Sequence, residues 1–141
     1  MTNVSTDRDG KSPLTRNGKI LVMDDDELLT LIIARMLTGL GYTAKAVNDG
    51  ETAIDLYNKE RDSGQPFDAV ILDLKVPGGM GGMETLRRLR DIDGNVGAVI
   101  SSGASWEEVM QDYRSYGFLA ALPKPFVLED LAEAVHTAIL R

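Results

Sequence analysis

The stretch "ILVMDDDELL", Ile20 to Leu29, decides how the chain is read. Four apolar residues run directly into Asp24, Asp25, Asp26 and Glu27, and then the chain turns apolar again. A short continuous apolar run reads as a buried strand. The acids that follow raise a question: why crowd so much negative charge against the end of a hydrophobic segment? Asp26 has a local explanation. An aspartate just before an amphipathic run caps free amide donors and favours the helix dipole. Asp24 and Asp25 have no such explanation, and ordinary loop acids are the plain alternative.

Working outward, the same unit repeats. "KILVM" (19–23) is the first strand, and "ELLTLIIARMLTGLG" (27–41) carries Leu29, Ile33, Met36 and Leu40 at helical spacing. "YTAKAV" (42–47) alternates at period two, and "DGETAIDLYNKERDSG" (49–64) reads as a helix turning Ala53, Ile54 and Tyr57 inward. "FDAVILDL" (67–74) and "VGAVISSG" (96–103) are buried strands, with a short helix "METLRRLRDI" (83–92) between them. "SWEEVMQDYRSYG" (105–117) reads as a fourth helix and "FLAAL" (118–122) as a fifth strand. "VLEDLAEAVHTAIL" (127–140) closes the chain, with Leu128, Leu131, Val135 and Ile139 on one face.

Strands alternating with helices predict a parallel sheet covered on both faces. Crossovers in such a sheet are right-handed, which leaves few topologies. The functional crevice of an open sheet lies beyond the carboxyl ends of its strands. Those ends carry Asp24, Asp25 and Asp26, then Asp73, then Ser101, Ser102 and Gly103, then Pro123, Lys124 and Pro125. Three acids on two adjacent strands are hard to leave as loop decoration. Two carboxylates ~4 Å apart repel by about 4 kcal/mol at an effective dielectric of 20. The cluster must protonate, pair with a cation, or bind a metal. An all-oxygen donor set suits a hard ion such as Mg²⁺.

Composition narrows the class. The chain has 141 residues, 43% of them apolar, enough for one domain with one core. It has no cysteine, which excludes disulfides and thiolate metal sites. A net charge of -7 argues against general binding to nucleic acid or to a membrane surface. No apolar run approaches the ~20 residues needed to span a bilayer. Residues 1–18 are polar, lack a signal core, and read as a tail or linker, with the domain over 19–141. A cytoplasmic protein is expected.

Four blocks carry a resemblance. "ILVMDDDE", "FDAVILDL..VP", "VISSG" and "PKPF" occur in the order and at the spacing of response-regulator receiver domains, the phosphoacceptor modules of two-component signalling. The resemblance covers residues 19–141. It implies a flavodoxin-like doubly wound (βα)5 sandwich with parallel sheet order 2-1-3-4-5. It implies that Asp73 is the phosphoacceptor and that Asp24, Asp25 and Asp73 hold Mg²⁺, joined by the backbone carbonyl of Lys75. Ser102 would bind the phosphoryl group and Lys124 would pair with one of its oxygens, with the Lys124–Pro125 peptide cis. The partner would be a histidine kinase or a histidine phosphotransfer protein, reached through helices one, four and five and the fifth strand; a homodimer is the other association left open. No enzyme activity is expected beyond self-phosphorylation and autodephosphorylation. The rival readings are a phosphorylation-independent scaffold and a haloacid-dehalogenase-type phosphatase. The phosphatase expects an acid two residues after the nucleophile, where this chain has Lys75.

Three departures from the family pattern shape the expectations. Ala121 stands where an aromatic residue is usual. The loop "LKVPGGMGGME" is glycine-rich, reads as a flexible loop needing positive φ, and resembles receivers at the C-terminal end of hybrid histidine kinases. Lys75 and Ala104 flank the expected phosphoryl position without an acid or amide to orient water, which implies slow self-dephosphorylation. His136, the only histidine, reads as a surface or partly buried residue rather than a phosphodonor.

Overall fold

A computed structural model describes residues 18–141. The expected tail therefore lies outside the described residues, apart from Gly18. Five parallel strands form one sheet in the order β2-β1-β3-β4-β5. They are β1 (Lys19–Met23), β2 (Thr43–Val47), β3 (Ala69–Asp73), β4 (Ala98–Ser102) and β5 (Ala120–Pro123). The helices are α1 (Glu27–Gly39), α2 (Gly50–Asp62), α3 (Gly82–Ile92), α4 (Glu108–Gln111) and α5 (Leu128–Ile139). The doubly wound order implied by the resemblance is the order found.

Alternation along the central strands splits the core in two. Ile20, Val22, Ala69, Ile71 and Val99 face α1 and α5, where they meet Ile33, Leu37, Leu131, Val135 and Ala138. Leu21, Met23, Val70, Leu72 and Ile100 face the other way, onto Ala53, Tyr57, Leu86, Leu89, Met110 and Phe118. Period two on a strand sends successive side chains to opposite faces, so a strand covered on both faces must be largely apolar. That is why β1, β3 and β4 read as apolar nearly throughout, while β2 at the sheet edge exposes Lys45.

Each parallel strand has its carboxyl end at the same edge. Met23 pairs with Leu72, and Asp73 with Ser101. The residues just beyond β1 and β3 therefore come together without any signal from neighbouring sequence.

The fourth helix differs from its expected 105–117 span. It is a four-residue α-helix followed by a 3-10 helix over Tyr113–Tyr116, broken at Asp112. Only Val109, Met110 and Phe118 anchor it deeply, and so short an amphipathic segment has little helical stability of its own. The chain instead closes with a left-handed Gly117 at φ 96°. Trp106 precedes the helix and is 77% exposed, so it is not core.

The fifth strand starts two residues later than expected and ends on Pro123. An edge strand tolerates a proline, which has no amide to donate. The buried face of α5 is Leu131, Ala134, Val135 and Ala138; Leu128, expected on that face, is 43% exposed in the first turn. On α1 the fully buried stripe is Thr30, Ile33 and Leu37, with Leu29, Met36 and Leu40 at its margin.

Candidate functional site

The acidic pocket is assembled from the ends of β1, β3 and β5. Asp24 and Asp25 follow β1 directly, and Asp73 is the last residue of β3. Carboxylate oxygens of Asp24, Asp25 and Asp73 all lie within 4.8 Å of one another. Asp24 and Asp73 are buried and Asp25 is exposed, so the cluster opens to solvent on the Asp25 side. Asp26 takes the capping role read from the sequence: its Oδ1 accepts the Leu29 amide at 3.1 Å.

Lys124 reaches the cluster from the end of β5, and the Lys124–Pro125 peptide is cis. Its Nζ donates to Asp24 Oδ2 at 2.6 Å and to Asp73 Oδ1 at 3.4 Å. One ammonium thus bridges two carboxylates, although its tighter partner is Asp24. Asp24 is held further by the Asp26 amide on its Oδ1 at 3.0 Å, and its carbonyl accepts Asn48 Nδ2 at 2.8 Å. The acidic loop is thereby fixed to the loop before α2.

These surroundings act on the charges. Burial, then the Asp24 charge, push the Asp73 carboxyl up to about 7, although Lys124 pulls the other way. Burial works against the Lys124 ammonium, but the hydrogen bond to Asp24 and the charges of Asp73 and Asp24 outweigh it. Its pKa is held above the usual lysine value. The site gathers three carboxylates around one ammonium and is short of positive charge.

At the end of β4, Ser101 and Ser102 separate in role. The Ser101 hydroxyl is buried and donates to the Leu122 carbonyl at 2.8 Å, a contact between strands. The Ser102 hydroxyl accepts the Ala104 amide at 2.9 Å at the start of the following loop. Lys75 lies two residues beyond Asp73, exposed, and its ammonium pairs with Glu107. Sequence reasoning missed Asn48 and Glu107, since neither stands in a recognisable motif and both act across the chain. His136 is exposed on α5, well outside this cluster in the sequence of elements.

The glycine-rich loop is less a matter of positive φ than expected. Gly78 alone in that loop has it, at 75°. Gly81 and Gly82 are required by space instead. A Cβ on Gly81 would lie 2.4 Å from the Leu74 carbonyl oxygen, and one on Gly82 would lie 2.8 Å from that of Asp73. The loop folds tightly back on the backbone of Asp73 and Leu74. Gly81→Ala is expected to destabilise the fold by roughly 2 kcal/mol, the scale of overpacking against a backbone that must move. Gly94→Ala, whose added Cβ meets nothing within 4 Å, is the control and should change stability by less than about 0.5 kcal/mol. Urea titration of both variants checks this.

Comparison with known proteins agrees with this arrangement. The family model described as "Response regulator receiver domain" matches residues 20–136. Sporulation initiation phosphotransferase F of Bacillus subtilis is 32% identical over 119 residues, which cover 84% of this chain and 91% of that protein. The response regulator MprA of Mycolicibacterium vanbaalenii is 30% identical over 123 residues, 87% of this chain but only 51% of MprA. Among solved structures, a response regulator receiver domain protein from Clostridium thermocellum superposes with a TM-score of 0.75 at 25% identity, covering 88% of this chain and 95% of that one. The receiver domain of the sensor histidine kinase PA1611 from Pseudomonas aeruginosa, which has magnesium coordinated in its active-site cleft, shares the fold. Its TM-score is 0.75 at 23% identity, over 89% of this chain and 100% of that one. With a family match across most of its length and the sheet order 2-1-3-4-5, the chain belongs to the response regulator receiver domains of two-component signalling.

Proposed function

We propose that this receiver domain takes a phosphoryl group from a phosphohistidine onto Asp73 in a Mg²⁺-dependent reaction, as a switch or relay. The observation that carries this reading is the packing of Asp24, Asp25 and Asp73 within 4.8 Å, with Lys124 bridging two of them. The donor set is all oxygen, partly buried, and short of positive charge, which fits a hard divalent cation. Asp24, Asp25, Asp73 and the Lys75 carbonyl would hold it. When bound, the ion supplies positive charge that screens the carboxylates from an anionic donor.

The chain's own groups account for the remaining chemistry. An Asp73 carboxylate oxygen attacks phosphorus, a new O–P bond forms, and the N–P bond to the donor imidazole breaks. Lys124 sits where it can pair with a phosphoryl oxygen, so catalysis is positioning and electrostatics. The Ser102 hydroxyl, which accepts the Ala104 amide, has its own proton left to donate to a phosphoryl oxygen. The chain turns over nothing besides its own phosphorylation and dephosphorylation, in the cytoplasm.

The partner is a histidine kinase or a histidine phosphotransfer protein. An apolar groove of about 330 Å³ opens beside Lys124, lined by Leu29, Ile32, Ile33, Met36, Pro125 and Phe126. Leu28, Leu31 and Ile32 stand exposed on α1 next to it, at 67, 59 and 46%. Exposed apolar side chains grouped at the rim of a charged site mark a protein contact. Ile32→Glu should cut phosphotransfer from a phosphohistidine protein by on the order of tenfold or more, the scale of one lost anchor. It should leave labelling by a small acyl phosphate unchanged. Equal loss with both donors would detach the groove from partner binding.

The test of the whole reading is intact-protein mass spectrometry after incubation with a small acyl phosphate, with Mg²⁺ or with chelator. One phosphoryl adduct that needs the metal supports it. No adduct, together with no affinity for Mg²⁺, overturns it.

A further inference from the structure

The Lys75 ammonium and the Glu107 carboxylate form an ion pair between two loops at the pocket edge of the sheet. One partner belongs to the loop that leaves Asp73. The other immediately precedes α4. The Glu107 carbonyl accepts the amides of Met110 and Gln111 at 3.0 and 3.2 Å. Its backbone therefore begins the helix while its side chain holds the loop after Asp73. With only four residues, α4 has little helical stability of its own, so what holds its N-cap Glu107 adds to the burial of Val109 and Met110 in keeping it formed. The other hold also comes from the pocket. The Glu107 amide donates to the Ala104 carbonyl at 3.1 Å, and the Ala104 amide donates to the Ser102 hydroxyl.

We propose that the Lys75–Glu107 pair is an electrostatic latch that passes the charge state of Asp73 to α4. The proposal rests on the reading of Asp73 as the phosphoacceptor. Lys75 carries its charge on a flexible four-carbon stem, is 66% exposed, and stands two residues from Asp73. Before phosphorylation, Lys124 is already drawn to Asp24 at 2.6 Å and bridges to Asp73. Lys75 is left to Glu107. A phosphoryl group on Asp73 adds negative charge and strong acceptor oxygens near the base of the Lys75 stem. The ammonium then exchanges a single carboxylate for the more highly charged group. Glu107 loses its partner, and the first turn of α4 loses its side-chain tether. The Lys75–Glu107 pair is partly solvated, so the effect is a graded loosening of α4 rather than its loss.

The test is amide hydrogen exchange at Met110, Gln111 and Asp112, whose amides bond to the Glu107 and Glu108 carbonyls. The full chain is used, as wild type and as Glu107→Gln, each before and after treatment with acyl phosphate, with intact mass read in parallel. Unphosphorylated Glu107→Gln should exchange at these positions on the order of threefold faster than wild type, the scale a partly exposed ion pair supports. Phosphorylation should bring wild type to that same rate and leave the variant unchanged, because the two changes remove one interaction. Mg²⁺ is present in every sample, and exchange at Val99 and Ile100 in β4 should be the same in wild type and variant at each stage, which separates the latch from a general loss of stability. Equal rates in the two unphosphorylated proteins overturn the latch, even where Asp73 is phosphorylated normally. So does a variant that responds to phosphorylation as fully as wild type. A wild type with no adduct overturns the phosphoacceptor reading, while the unphosphorylated pair still decides whether Glu107 tethers α4.

Discussion

Asp73→Asn protein keeps its unmodified mass after incubation with a small acyl phosphate and Mg²⁺, whereas wild type gains one phosphoryl group. The loss is expected to be complete within detection, because a carboxamide offers no anionic oxygen to attack phosphorus. The neighbouring acids do not substitute. Asp24 is committed to Lys124 at 2.6 Å and to the Asp26 amide at 3.0 Å. Asp25 is exposed and lacks the lysine that Asp73 shares. An adduct of equal yield on Asp73→Asn would move the phosphoacceptor elsewhere and remove the basis of the proposed function. The same experiment reads the lifetime of the adduct. Lys75 carries an ammonium rather than an acid or amide, and Ala104 offers no polar side chain, so neither position orients a water. The wild-type adduct should therefore persist well beyond seconds at neutral pH with Mg²⁺ present. Decay within seconds would rule that out.

The metal-free protein should be more stable as Asp73→Asn than as wild type at pH 8, and the difference should vanish near pH 4. In the fold the Asp73 carboxyl is pushed up to about 7, chiefly by burial and then by Asp24. In the unfolded chain it titrates near its ordinary value of about 3.9. Between those values the folded state binds more protons than the unfolded one, so stability falls as pH rises through this window. Three pKa units set a ceiling of about 4 kcal/mol. Solvent reaching the pocket past Asp25 screens the charges, so on the order of 2 kcal/mol is expected at pH 8. That corresponds to a Tm difference of roughly 5 °C or more for a domain of this size. Asp49, Asp93, Glu60 and Glu84 have lowered pKa values and impose the opposite pH trend, which is why the comparison is made between the two proteins. Mg²⁺ should reverse the order. An ion that binds only the folded state at a hundred times its Kd adds about 2.7 kcal/mol to wild type. The variant has lost one of the three carboxylates and should gain less. Thermal melts at pH 4 and pH 8, with Mg²⁺ or chelator, check both halves. A variant no more stable than wild type without metal at pH 8 would mean that Asp73 is not under electrostatic strain.

The reach of sequence reasoning differs from one element to the next. β1, β3 and β4 were legible because a strand covered on both faces is apolar nearly throughout, its polar residues kept to the ends. α1 was legible from its apolar spacing and from Asp26, which accepts the Leu29 amide, and α2 from inward-facing Ala53, Ile54 and Tyr57; its cap, Asp49 accepting the Thr52 amide at 2.8 Å, came only with the structure. The fourth helix was misread, since Val109, Met110, Tyr113 and Tyr116 keep helical spacing across a break at Asp112. Periodicity records which side chains can share a face, not whether the backbone between them stays helical. β5 was misplaced by two residues because its apolar neighbours Phe118 and Leu119 belong to the approach rather than the strand.

The site divides along the same line. The sequence alone determined the residue types, their order, and their positions just beyond apolar strands. In a parallel sheet that suffices to collect Asp24, Asp25, Asp73 and Lys124 at one edge, because every strand must end on the same side. What the tertiary structure decided is how those charges are shared. Lys124 turns first to Asp24 and only then to Asp73, and Lys75 turns away from the acids to Glu107. Gly81 and Gly82 press their bare backbones against the carbonyls of Leu74 and Asp73. Partner choice among several nearby charges depends on ångström differences in distance and on how much water each group retains. Both are set by elements far apart in the chain, and no local pattern of residues encodes them.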